Sequence, residues 1–204
     1  MRGYALGVAT AAALAAALGV GTSGARAQEA PAVDIACHPT APAAQLAKRA
    51  SPYDSTAIVL GTARGQVCYS RPLLRGRHMI GGDAVPFGKL WRTGANEPTI
   101  VSLPVAATIA GLRVEPGSYA LYTVPDEKQW TIVVNRSTKQ WGIENQYTAA
   151  IQEQELGRAQ VSAEAVKDAI EQFTIRSVPA GQGRADLVLE WEHSRVKIPV
   201  VAVH

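Results

Sequence analysis

Short runs of alternating polar and apolar residues fill the chain from Ser51 onward, and Gly, Pro, Asn and Asp interrupt them at short intervals. Alternation with a period of two is typical of strands with one buried face, and closely spaced turn residues indicate an all-β sandwich or barrel. We therefore predict an all-β fold, an antiparallel, jelly-roll-like β-sandwich with one or two short helical segments. The predicted strands are 56–61, 66–71, 99–103, 106–110, 112–114, 119–124, 130–135, 156–162, 171–178, 187–192 and 196–201.

The stretch 147–172 has the weakest pattern. Its Ala, Gln and Glu content favours helix, but its larger apolar residues do not fall on one helical stripe. We predict a loop or short helix up to Gln154, and a short helical turn between the strands 156–162 and 171–178. A turn at His193-Ser194 is predicted to separate the last two strands.

The N-terminus has the pattern of an export signal. Arg2 precedes an apolar run from Ala5 to Val20, and the small residues that follow end in Ala25-Arg26-Ala27. That run is shorter than the roughly 20 residues of a spanning helix. We predict a signal peptide over 1–27, an exported product that is periplasmic or secreted, and no membrane span after cleavage. Residues 28–50, rich in Ala, Pro and Gln, are predicted to form a poorly ordered leader before a single domain over 51–204.

Net charge changes once the signal peptide is removed. The full chain has 20 Lys plus Arg against 17 acids, and loss of Arg2 and Arg26 leaves 18 against 17, or +1. This balance argues against a nucleic-acid partner. The charges are nevertheless segregated: the stretch 144–171 has six acids against two cations, whereas 64–96 has one acid, Asp83. The six cations of that second stretch are Arg64, Arg71, Arg75, Arg77, Lys89 and Arg92.

Cys37 and Cys68 are the two cysteines of the chain. Export would place both in an oxidising compartment, so we predict a disulfide between them, worth roughly 3–4 kcal/mol by the loop-entropy argument. The alternatives are a buried free Cys68 on a strand and an exposed Cys37 in the leader. The four histidines show no two-ligand spacing, so we expect no metal site. We also expect no cofactor.

Several motifs together indicate a family. They are Tyr69-Ser70-Arg71-Pro72, Gly76-Arg77, the run from Pro86 to Glu97 with its Trp91-Arg92-Thr93-Gly94-Ala95-Asn96-Glu97 string, Pro116-Gly117-x-Tyr119, and Trp141-Gly142. The chain resembles the bacterial domain of unknown function family 2911 over roughly 51–201. The resemblance implies an exported, β-rich bacterial domain with no established activity or cofactor. Family members typically have an apolar residue where Cys68 stands, so a bridge to Cys37 would be particular to this chain.

The basic stretch suggests a ligand site. Arginine presents a planar, permanently charged fork that binds carboxylate, sulfate or phosphate through two hydrogen bonds. A polar pocket with aromatic walls would suit a small polar or anionic ligand or a sugar, and its candidate residues are Tyr69, Arg71, Arg77, Trp91, Arg92, Asn96 and Glu97. Tyr69 and Arg71 share one strand face by the period of two. The structural alternative is that an arginine pairs internally with Glu97 and that Trp91 belongs to the core.

Two other classes of function stay open. A periplasmic hydrolase would use Glu97 as general acid or base, with Asn96 as a donor and His78 as a proton shuttle. Glycoside hydrolysis would need a second carboxylate, and Asp83 and Glu115 are the candidates. An envelope structural or interaction module would use the acidic stretch 144–171 against a cationic partner. We favour ligand binding over catalysis.

Overall fold

The computed structural model describes residues 32–141 and 144–203, together with Met1 and Gly3. The predicted signal peptide therefore lies outside the described residues except for these two, as does Gly142 of the Trp141-Gly142 motif. Within the described residues neither α-helix is long and apolar enough to cross a membrane. The strands are β1 Tyr53–Leu60, β2 Ala63–Ser70, β3 Thr99–Leu103, β4 Ala107–Ile109, β5 Leu112–Val114, β6 Gly117–Val124, β7 Gln129–Asn135, β8 Glu155–Pro179 and β9 Arg184–Ala202; the helices are α1 Ala43–Leu46, α2 Ala149–Gln152 and a 3-10 turn at Glu144–Gln146.

All neighbouring strands in the described sheet are antiparallel, in the order β1-β2-β3-β6-β7-β8-β9-β4-β5. The predicted all-β class and the short helical segments are thereby confirmed. The expected sandwich would have two separate sheets, whereas hydrogen bonds join these nine strands into one. The long strand β8 is the reason, because it pairs with β7 over 155–162 and with β9 over 163–179.

One hydrophobic core takes its side chains from both ends of this sheet. Ile58 and Val67 from β1 and β2 belong to the same buried cluster as Leu189 and Ile198 from β9. The alternation of apolar and polar residues predicted this burial, since every second side chain of a strand faces the same side. Aromatic rings lie at the centre of the cluster, where Trp91 contacts the rings of Trp130, Phe173 and Trp191.

The predicted helical turn between residues 162 and 171 is wrong, because β8 continues through it. Ala163 pairs with Val196 and Ala165 with Ser194, and register shifts follow on either side of Ile170. Intrinsic helix propensity is a weak preference, and cross-strand pairing overrides it here. The register shifts also explain the irregular apolar pattern, because an extra residue moves later side chains to the opposite face.

The predicted turn at His193-Ser194 is also wrong. Strand β9 runs without interruption from Arg184 to Ala202, and Glu192 beside that position has a φ of 55°. A non-glycine residue in this left-handed region is uncommon, and here it falls at one of the register shifts between β8 and β9. The predicted turn therefore coincides with a register shift whose extra residues lie on β8, and β9 itself continues past it.

Residues 32–50, which the sequence assigns to a poorly ordered leader, are attached to the domain. Cys37 and Cys68 form a disulfide with Cα atoms 5.7 Å apart, as predicted. Arg49 makes two hydrogen bonds to the carboxylate of Glu97, and the guanidinium of Arg75 donates to the Ala50 carbonyl at 3.1 Å. The leader composition gave no indication of the two arginine contacts, because their partners lie 48 and 25 residues away along the chain.

Candidate functional site

The family motifs lie in the long connection between β2 and β3, residues 71–98. Isolated strand-like bridges attach this connection to the sheet, joining Leu73 to Gln172 and Trp91 to Thr123. At the second bridge the Trp91 amide donates to the Thr123 carbonyl at 2.7 Å, and the Thr123 amide returns a bond of 2.9 Å. The connection is therefore held in place at its middle as well as at its ends.

Three residues of the Trp91-to-Glu97 string have a structural role. The Trp91 indole donates to the Gly94 carbonyl at 3.0 Å, and the buried hydroxyl of Thr99 donates to the Thr93 carbonyl at 2.5 Å. Gly94 has a φ of 155°, and a Cβ atom there would lie 3.0 Å from the Ser70 carbonyl oxygen. The loop therefore needs glycine at this position, and its tight fold sets the positions of Arg92 and Asn96.

A cavity of about 320 Å³ opens beside this string, and we call it the arginine pocket. Four of the predicted ligand-binding residues line it, namely Arg77, Trp91, Arg92 and Asn96. The rest of its wall consists of Ser51, Pro72, Met79, Ala84, Val85, Gly94, Ala95 and Trp191. Trp91 and Trp191 are stacked, with ring centroids 5.7 Å apart, so the pocket has the aromatic wall that the sequence suggested.

The arginine pocket has a positive electrostatic character. It contains two guanidinium groups, and none of the described residues that line it is acidic. The Nε of Arg77 donates to the Leu74 carbonyl and its Nη2 donates to the Leu73 carbonyl, and these two hydrogen bonds orient the side chain. The Nε of Arg92 is buried and has no hydrogen-bond partner among the described residues. An unpaired buried donor costs free energy, so an acceptor supplied by a ligand would be favoured here.

Tyr69 and Arg71, two other predicted ligand residues, contribute to the interior and to a cross-link between strands. The Tyr69 hydroxyl donates to the Ile175 carbonyl at 3.2 Å and accepts from the Ile175 amide at 3.0 Å. Arg71 pairs with Asp54 at 3.0 Å and also donates to β8, at Phe173 and Thr174. Both side chains reach β8, in agreement with their placement on one strand face, and neither lines the arginine pocket.

Glu97, the predicted general acid or base, is bound by the leader. Its carboxylate accepts hydrogen bonds from both terminal nitrogens of Arg49, at 2.7 and 2.8 Å, and from the amide and hydroxyl of Thr40. Burial alone would raise the pKa of Glu97, but these hydrogen bonds outweigh burial and lower the pKa to about 2. A carboxylate held in this way remains ionised at neutral pH, and its low pKa makes it a poor proton donor or base.

A second cavity of about 290 Å³ lies between the leader and the outer surface of the sheet. Its wall includes His38 and Thr40 from the leader, Tyr53 from β1, and Ser102 and Ser118 from β3 and β6. The two serine hydroxyls are hydrogen-bonded to each other at 2.8 Å. The serine hydroxyls satisfy each other, and among the described residues that line this cavity Lys139 is the single lysine or arginine. The cavity is therefore less suited to an anion than the arginine pocket.

Two acids of the acidic stretch 144–171 form ion pairs in the folded chain. Glu155 forms an ion pair with Arg158 at 2.8 Å, and Glu164 forms one with Lys197 at 2.9 Å. The hydrogen bond from Arg158 lowers the pKa of Glu155 despite its partial burial. Among the described residues no group of three or more His, Cys, Asp or Glu side chains is arranged to hold a metal ion.

Sequence reasoning missed part of the pocket wall. Met79, Val85 and Trp191 contribute apolar surface, and Trp191 comes from β9, about a hundred residues beyond Trp91. Their signal in the sequence is that of ordinary core residues, so the pattern gives no reason to assign them to a site. Only the folding of β9 beside the 71–98 connection brings Trp191 to the pocket.

Comparison with known proteins gives one match. The sequence profile of the family described as protein of unknown function (DUF2911) matches residues 51–200, which is most of the chain. No curated protein and no solved structure matches the chain. The match begins just after the leader, so the cysteine and the arginine that attach the leader lie outside it, whereas Cys68 and Glu97 lie inside.

Proposed function

The chain belongs to the family of proteins of unknown function DUF2911, and on that premise we propose that it is an exported domain that binds a small anionic or polar ligand in the arginine pocket. The observation that carries the proposal is the buried Nε of Arg92, which has no hydrogen-bond partner among the described residues at a cavity lined by a second arginine and Asn96. Guanidinium groups bind phosphate, sulfate and carboxylate through paired hydrogen bonds, and an amide adds a donor for a neutral oxygen.

The size of the pocket limits the ligand. A volume of about 320 Å³ is at the lower end of the range for small-molecule sites, roughly 300–1,000 Å³. It suits a phosphate or a sugar phosphate, with the anionic group at Arg92 and the remainder against Trp91 and Trp191. Trp91 and Trp191 are 4% and 1% exposed, so the arginines and Asn96 would supply most of the contacts to such a ligand.

Thermal unfolding of the purified domain with inorganic phosphate, glucose 6-phosphate and glucose tests the proposal. We expect both phosphates to stabilise the fold, by about 2.7 kcal/mol when the ligand is at a hundred times its Kd, and glucose to have less effect. Arg92→Met should weaken phosphate binding at least tenfold, because a hydrogen bond to a charged group contributes about 1.5–3 kcal/mol.

The matched control for this experiment is Arg64→Met, which removes the same charge from an exposed position on β2 at the far end from the pocket. It should leave phosphate stabilisation unchanged. Equal losses in the two variants would mean that phosphate responds to net charge alone, and the absence of stabilisation by all three compounds in the wild type would refute the proposed ligand class.

Export is the second part of the proposal, and the Cys37–Cys68 bridge is compatible with it because disulfides persist in oxidising compartments. Protein recovered from the periplasm or medium of a bacterial host should begin at Gln28 and contain no free thiol. Reduction should lower its free energy of unfolding by about 3–4 kcal/mol, since the bridge closes a loop of 31 residues. N-terminal sequencing, thiol titration and urea denaturation measure these three results; an uncleaved cytoplasmic product with two free thiols would contradict them.

A further inference from the structure

A histidine–carboxylate pair stands at the edge of the arginine pocket. The Nδ1 atom of His78 lies 2.7 Å from Oε1 of Glu192, and the Glu192 side chain is 11% exposed whereas that of His78 is 68% exposed. The other carboxylate oxygen of Glu192 accepts from the amides of Met79 and Ile80 at 3.0 and 2.8 Å. The acid is thus fixed by three donors, and the imidazole that it orients faces outward.

This arrangement differs from an ordinary surface ion pair. His38 and Asp34 are also 2.7 Å apart, but both side chains are about 70% exposed. Glu192 is instead buried, and its backbone occupies the left-handed region at a φ of 55°. Residues held in such conformations concentrate at functional sites, where the surrounding structure compensates for their cost.

The position of the pair connects it with the proposed ligand. His78, Arg77, Gly82 and Asp83 line an open cleft, and Arg77, Met79 and Ala84 are shared between this cleft and the arginine pocket. Asp83 contributes a carboxylate to the cleft, whereas no acid is among the described residues that line the pocket. An anionic group is therefore favoured at Arg92. In a bound phosphate ester, the bond between phosphorus and the ester oxygen would then lie toward Arg77 and His78.

We propose that His78 is the general base of a phosphate-ester hydrolase and that Glu192 is its positioning residue. This inference rests on the proposed anion site. With Nδ1–H donated to Glu192, Nε2 of the imidazole carries a free lone pair that can accept a proton. Glu192 stabilises the imidazolium that results. Burial raises the pKa of the Glu192 carboxylate, but the hydrogen bonds that it accepts outweigh burial, so its pKa is lowered and it stays ionised.

The reaction balances without a further reactant. A water molecule gives one proton to Nε2 of His78 as its oxygen bonds to phosphorus, and the bond between phosphorus and the ester oxygen breaks. The leaving oxygen, in line on the opposite side of phosphorus, takes a proton from solvent water, and the imidazolium gives its proton back to solvent, which regenerates neutral His78. The products are an alcohol and inorganic phosphate, and Arg77 and Arg92 balance the charge on the phosphoryl oxygens during the transfer.

Hydrolysis of p-nitrophenyl phosphate and glucose 6-phosphate, followed together with phosphate stabilisation of the fold, tests this inference. We expect His78→Ala to lower kcat by 10²- to 10⁴-fold while phosphate still stabilises the protein. Free imidazole should restore part of the lost activity, an effect that a purely structural role of His78 cannot produce. Glu192→Gln, which keeps a hydrogen-bond acceptor for the loop, should lower kcat with little change in KM. The control His38→Ala removes the exposed histidine of the leader and should leave kcat unchanged.

The outcomes separate the two proposals. A wild-type protein that phosphate stabilises but that hydrolyses neither ester overturns the catalytic inference and leaves the binding function intact. Hydrolysis that His78→Ala does not reduce also overturns the role of His78. If Arg92→Met and the wild type behave alike in both assays, Arg92 does not bind the anion. That result overturns the proposed binding function, and with it the catalytic inference that rests on it.

Discussion

Replacing Trp91 with alanine should lower the free energy of unfolding by about 3–5 kcal/mol and abolish phosphate binding. The indole is 4% exposed and contacts three other aromatic rings, and its Nε1 supports the loop through the Gly94 carbonyl. Alanine would leave a cavity among these rings and an unpaired carbonyl. It would also remove one wall of the arginine pocket, so stability and binding should be lost together.

Urea denaturation, with and without phosphate, measures both effects. The matched control is Trp141→Ala, because Trp141 is 38% exposed and its recorded side-chain contact among the described residues is a cation–π contact with Arg49, at 5.9 Å. Truncation at that position should cost about 1 kcal/mol or less. A similar small cost at Trp91 would mean that the aromatic cluster does not support the motif loop.

Replacing Arg49 with methionine should destabilise the fold by about 3–5 kcal/mol at neutral pH, because it leaves the Glu97 carboxylate buried without its cation. Removing both charges, in Arg49→Met/Glu97→Gln, should cost less than the single change. Arg113→Met is the control: its pair with Glu115 is 60% and 66% exposed, and exposed pairs contribute at most about 1 kcal/mol. Equal costs at Arg49 and Arg113 would show that the leader contact adds nothing to stability.

The same pair predicts how stability varies with pH. The pKa of Glu97 falls from an ordinary value of 4.5 to about 2 on folding, so the unfolded state binds its proton first as pH decreases. The stabilisation is therefore present above about pH 4.5 and is lost as pH falls toward 2. Urea denaturation between pH 6 and pH 2 should show this loss in the wild type and a shallower slope in Glu97→Gln. A parallel slope would place the acid sensitivity elsewhere.

Local pattern predicted the regular part of the fold well. β3 and β5 have the bounds that alternation and turn residues indicated, and the other short strands differ by a few residues at their ends. These strands depend on a period of two and on turn chemistry, both of which are local properties. β8 could not be predicted in one piece, because its register shifts disrupt the alternation and its composition favours helix.

The candidate site was only partly visible in the sequence for a related reason. Arg77, Trp91, Arg92 and Asn96 lie in one stretch of the chain, where the concentration of arginines and the motif residues between them indicated a site. Glu97 belongs to the same stretch, but Arg49 determines its role from 48 residues away. Glu192 lies 114 residues from His78. In the alternating pattern of its strand it looks like any polar residue on the exposed face, so the sequence gives no sign of the pair. Pairings over such separations follow from topology, which composition and spacing do not encode.

The shared strand β8 determines how the protein loses its structure. Its first residues belong to the ladder that leads through β7 to β1, and its later residues belong to the ladder that leads through β9 to β5. If either half of the sheet unfolds, it also unfolds its part of β8, and the other half then loses the continuity of the strand at its edge. We therefore expect the described domain to unfold cooperatively, and a protease that cuts within β8 to disrupt both halves at once.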